Sequence, residues 1–138
     1  MNKIKTLHML VLGASFAGCA AAGVAANPRD GAIVGFHDKA LQTCPPAGNA
    51  CSEPVTLGYR PVAVAQTASG TIVLVTRDDI RLCDDIGKCT NAAPYARLPS
   101  GFQAAGVTVG PSNVPIVISR SGGRVSCRTD AAHCDELP

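Results

Sequence analysis

Apolar positions along this chain fall into two regimes. After Lys3 and Lys5, an apolar stretch runs through Leu7, Met9, Leu10, Val11, Leu12 and Phe16. Spanning a bilayer takes about 20 apolar residues, so this stretch is too short, but its charge-then-apolar order suits a secretory signal. We therefore expect residues 1–18 to be a signal peptide and 19–138 to form a single domain. From there on, apolar residues come in short bursts rich in Val and Ile, separated by Gly, Pro, Asp, Asn and Ser. Such bursts predict strands joined by turns, and none is long enough for a transmembrane helix.

The middle of the chain gives the clearest reading. Residues 61–66 alternate, 67–70 are turn-like, 71–76 are a Val/Ile run, 77–79 make a tight turn, and 80–83 form a third strand. Residues 84–87 are expected to turn into a fourth, short strand around Cys89. Further on, 104–109, 114–119 and 124–127 repeat the scheme, with turns at 110–113 and 121–123. The expected fold is all-β.

The bursts recur with a period. Ile33, Ile72 and Ile116 each stand eleven residues before a cysteine, Cys44, Cys83 and Cys127, and each cysteine is followed by another, Cys51, Cys89 and Cys134. The first and last units align without gaps: Ala21-Ala22-Gly23-Val24 matches Ala104-Ala105-Gly106-Val107, Pro28 matches Pro111, and Glu53 matches Glu136. Three tandem units of about 40 residues follow from this, at about 20–59, 60–101 and 102–138. Their strand-turn-strand pattern resembles the four-stranded antiparallel blades of a β-propeller. Closed propellers typically have four to eight blades. Three units would pair with a second copy to make a homo-oligomer, or close as a trefoil or threefold β-prism.

Each cysteine pair flanks the turn expected between strands three and four, where facing residues approach within disulfide range. Six cysteines allow 15 connectivities. The repeat selects Cys44–Cys51, Cys83–Cys89 and Cys127–Cys134. Closing such short loops stabilises by roughly 2–2.5 kcal/mol each on the chain-entropy estimate. That matters in a chain with no Trp, two Tyr and three Phe, whose core rests on small and β-branched side chains.

The seventh cysteine, Cys19, ends the motif Ser15-Phe16-Ala17-Gly18-Cys19. This resembles the lipobox of bacterial lipoproteins, with Phe16 where Leu is most usual. The resemblance implies cleavage before Cys19 and a diacylglycerol on its thiol, which would tether the domain to a membrane of the cell envelope. A rival site, Val24-Ala25-Ala26, would discard Cys19. Cutting there would also remove the opening of the first repeat, so the repeat favours Cys19.

Charge adds mainly exclusions. Twelve Lys and Arg are interspersed with ten Asp and Glu for a net +2, and no basic run suggests nucleic acid. Structural zinc sites favour two to four residues between ligands, whereas these cysteine gaps are six, five and six. Only His37 and His133 follow the signal, so we expect no metal site; no C-x-x-C redox pair occurs either. Asp78, Asp79, Asp84 and Asp85 have the chemistry for Ca²⁺ or an acid–base pair, but Asp is also the residue turns prefer. Neither G-x-S-x-G, S-x-x-K nor a phosphate-cradling Gly loop is present. No catalytic residues and no cofactor are expected. The sequence thus leads to a small exported, non-enzymatic envelope lipoprotein, a binding or accessory domain for a protein or glycan partner. A secreted soluble carbohydrate-binding module and a periplasmic metal or redox protein are the alternatives. The loop 91–101 is where contacts are expected.

Overall fold

The computed structural model describes residues 22–128 and 133–138. Cys19 and the signal segment lie outside the described residues. Twelve strands form three four-stranded antiparallel sheets in strict chain order. The first blade holds β1 (Ala22–Ala26), β2 (Ile33–His37), β3 (Ala40–Cys44) and β4 (Val55–Thr56). The second holds β5 (Ala63–Gln66), β6 (Ile72–Val75), β7 (Asp79–Cys83) and β8 (Ala96–Arg97). The third holds β9 (Ala104–Val109), β10 (Pro115–Ser119), β11 (Arg124–Ser126) and β12 (Asp135–Glu136). The all-β, three-unit reading is the observed fold.

The blades stack through their first strands: β5 lies between β1 and β9. This accounts for their burial. Val73, Leu74 and Val75 of β6 are buried on both faces because a blade covers each side. One core, between blades one and two, contains Val34, Phe36, Leu41, Leu57, Val64, Ile72 and Leu74. The other, between blades two and three, contains Ala63, Val75, Ile80, Ala96, Leu98, Val117 and Val125. Blade one packs on blade two and blade two on blade three, in series rather than around a shared threefold axis. The trefoil and prism alternatives are corrected accordingly to an open arc of propeller-type blades.

The three disulfides pair within units as expected, with Cα separations of 4.1, 5.2 and 4.2 Å. Their setting differs from the expected one. Cys89 ends a four-residue helix, α1 (Ile86–Cys89), capped by the Asp85 carboxylate, which accepts from the Lys88 amide at 3.1 Å. The fourth strand comes later, at Ala96–Arg97. Cys51 likewise precedes β4, so the disulfides tie the end of strand three to the connection and do not bridge strands three and four.

The repeat also slips once. Ile33 pairs with Cys44 and Ile72 with Cys83, but Ile116 pairs with Ser126. Six residues separate β1 from β2 and five separate β9 from β10. The next loop compensates: Asp38-Lys39 in blade one becomes Arg120-Ser121-Gly122 in blade three. The two changes cancel, so the gapless alignment survives on either side of β10. Within β10 every side chain is turned to the opposite face. Val117, not Ile116, points into the core.

Candidate functional site

Antiparallel order sends the blades' connections to two ends. At one end lie the strand 1–2 turns, the disulfides and α1. At the other lie the strand 2–3 turns and the links from each fourth strand to the next blade. Between blades two and three this second end opens into a groove of about 930 Å³, and residues 99–103 also line a smaller one of about 350 Å³.

Local chemistry builds the groove walls. Thr76 opens the 2–3 turn of blade two, its Oγ accepting from the amides of Asp78 and Asp79 at 3.2 and 3.1 Å. Ser119 does the same in blade three, accepting from the Gly123 amide at 2.9 Å. Each hydroxyl fixes its turn, and the residue that follows it is an exposed arginine, Arg77 or Arg120. The third wall is the link 98–103. Its Leu98 amide donates to the Asp78 carbonyl at 2.9 Å, and the Gln103 carbonyl accepts from the Arg120 amide at 3.0 Å. Between them Phe102 donates its amide to the Pro99 carbonyl at 3.0 Å across a turn that puts Gly101 at a φ of 79°. That left-handed backbone suits glycine and explains the residue there.

The groove carries three arginines beside a few apolar side chains. Arg77, Arg97 and Arg120 line it, together with Val62, Leu98 and the half-buried Phe102. None of the three guanidinium groups makes an ion pair or side-chain hydrogen bond among the described residues. Asp78 and Asp79 also line it, but Asp79 is held by Arg81, at 3.1 Å from Nε and 3.2 Å from Nη2.

Arg81 belongs to a separate knot that closes the junction of blades one and two. Its Nη1 donates to the Ala92 carbonyl at 3.0 Å, and its guanidinium stacks 4.3 Å from the centre of the Tyr59 ring. The Tyr59 hydroxyl donates to the Cys89 carbonyl at 2.5 Å. Burial pushes the Tyr59 phenol above its ordinary value; the Arg81 charge opposes that shift and Asp79 adds to it. Nearby, Gly58 donates to the Thr90 carbonyl at 2.9 Å.

The residues singled out from the sequence are dispersed. Asp84 accepts from the Thr71 hydroxyl at 3.4 Å and Asp85 caps α1, both at the end away from the groove. Asp78 and Asp79 are at the groove end. His37 sits in β2 opposite Ala22 and Ala40, and His133 contacts Asp135 at 3.2 Å. No group of three or more His, Cys, Asp or Glu with metal-binding geometry exists among the described residues. Of the loop 91–101, the later part lines the groove, whereas the earlier part packs under Gly58 and Arg81. The arginines escaped the sequence reading. The available signal was the recurrence of Arg after a turn-opening Thr76 or Ser119.

Comparison with known proteins bears on the fold alone. No family model matches the chain. No curated protein matches it either. Among solved structures the chain is similar to Kuenenia stuttgartiensis hydrazine synthase, with a TM-score of 0.62 at 11% identity. The likeness covers 83% of this chain but 34% of that one, so the chain spans about a third of its length. At this identity the shared property is the arrangement of the sheets.

Proposed function

We infer that this is an exported, non-enzymatic binding module, lipid-anchored through Cys19, whose groove takes an acidic carbohydrate. The observation that carries the ligand class is the set of three arginines, unpaired among the described residues, around a groove that also presents Val62 and Phe102. Arg is suited to planar carboxylate recognition through paired N–H groups. A uronate-type sugar offers a carboxylate to such groups and an apolar ring face to Phe102. The groove is an open surface trough, which suits a chain-like ligand better than an enclosed small molecule.

Export is supported by the three disulfides, which form and persist in oxidising compartments. No helix among the described residues is long and apolar enough to cross a membrane. The Cys19 anchor draws support from β1: its full register on β2, Ala22 to Ala26 against His37 to Ile33, makes it part of the sheet. Cleavage after Ala26 would strip that strand from the fold.

The test is binding of the purified exported protein to acidic and neutral oligosaccharides at low and physiological salt. Expected are selective binding to the acidic ones, weakening as salt rises, and at least a tenfold loss on combining Arg77→Ala with Arg120→Ala. No acidic-sugar binding, or binding indifferent to these substitutions, would overturn the ligand assignment.

A further inference from the structure

Among the described residues the arc has two outer faces that no blade covers, and the repeat shows what each is built to meet. The third residue from the end of each first strand is a valine: Val24, Val64 and Val107. Val64 is 8% exposed, within the core against blade one, and Val107 packs into the core against blade two. Val24 occupies the same position, with no blade against it among the described residues, and is 55% exposed. The disulfides differ in company, though all three are buried: Cys83–Cys89 lies in the first inter-blade core and Cys127–Cys134 in the second, whereas Cys44–Cys51 forms a small cluster of its own with Ile33 among the described residues.

The opposite end shows the complementary surface. The second and fourth residues of each second strand point toward the following blade. In blades one and two these are Val34 and Phe36, then Val73 and Val75, all 0% exposed. In blade three they are Ile116 and Ile118, which are part-exposed, with no blade against them among the described residues. The one-residue slip in β10 is what puts two isoleucines on this face. The free surfaces are therefore the two halves of an interface that the chain already makes twice.

We propose that two copies of this chain join head to tail, the blade-three face of each on the blade-one face of the other, into a closed six-bladed ring. Six blades fall within the usual range of four to eight, whereas three fall below it and three copies would give nine. The contact is heterologous, so it closes only if the rotation per blade suits two copies. The proposal is independent of the sugar reading, since the groove lies between blades two and three of one chain.

The test is light scattering of the purified full exported protein, with Val24→Arg and Ile118→Asp made separately. The wild type is expected at twice the chain mass and each variant at the monomer mass, with all three disulfides intact by unreduced peptide mapping. Mixing the two variants should restore a dimer, because one wild-type interface forms between them. A wild-type monomer at all concentrations, an open polymer, or a dimer that survives either substitution would overturn the ring. So would another protein, copurified from the cells, found seated on the Val24 face.

Discussion

The two inter-blade junctions are built from the same repeat but finished differently. Between blades one and two the core carries Phe36, Leu41, Leu57 and Leu74. Above it, Arg81 ties Asp79, Tyr59 and the Ala92 carbonyl together. At the rim, Arg60 is paired with Asp38 at 2.9 Å. Between blades two and three the core holds no buried ring: Ile80 and Leu98 are its largest buried side chains, beside Ala63, Ala96, Val75, Val117 and Val125. Its rim arginines make no ion pair among the described residues, and a groove remains open. One junction is sealed by packing and charge pairing. The other leaves its charges available. A repeat scaffold can separate stability from binding in this way, because each junction tolerates different side chains on one backbone.

The largest expected difference is in the cores. Phe36→Ala should destabilise the oxidised protein by about 3–5 kcal/mol, since it removes a ring from a fully buried site. Val117→Ala, equally buried in the other junction, should cost about 2 kcal/mol. Denaturant titration without reductant measures both, and equal losses would erase the contrast between junctions.

How much of this was legible in the sequence depends on the element. The strands of blade two and the cysteine pairs were readable, because Val/Ile runs and turn residues alternate cleanly there and one spacing recurs three times. The helix at Ile86–Cys89 was not: its single turn depends on one cap by Asp85, and repeat analogy suggested a strand. The fourth strands are only two residues each, too short to carry a period. The slip in β10 was hidden because its two length changes cancel in any gapless alignment. The groove escaped because Arg77, Arg97 and Arg120 come from three separated segments that meet only when blades stack.

The Arg81 knot gives a smaller, pH-marked effect. Arg81→Ala leaves the largely buried Asp79 carboxylate without its bidentate partner and should cost about 1–3 kcal/mol. Tyr59→Phe loses one hydrogen bond, about 1 kcal/mol. The Tyr59 phenol is raised in the folded state, chiefly by burial. Its proton is therefore released more readily from the unfolded chain. The stability linked to it is fully present below the ordinary tyrosine value of about 10 and falls as pH rises from there through the raised folded value. Denaturation followed across alkaline pH should show a decline that is shallower in Tyr59→Phe. Identical slopes would mean that Tyr59 is not the group responsible.

The smallest expected change is at the groove. Arg77→Ala combined with Arg120→Ala should shift stability by no more than about 0.5 kcal/mol, since both residues are exposed and make no ion pair among the described residues. A loss as large as that of Arg81→Ala would make these arginines structural and remove the contrast on which the proposed binding site rests.

The central claim is that a three-blade arc, stapled blade by blade, is exported with its first strand intact. Intact mass and unreduced peptide mapping of the protein taken from cells test it together. The expected result is a chain starting at Cys19 with acyl mass added, carrying Cys44–Cys51, Cys83–Cys89 and Cys127–Cys134. A chain starting at Asn27, or any disulfide joining two different blades, would contradict it.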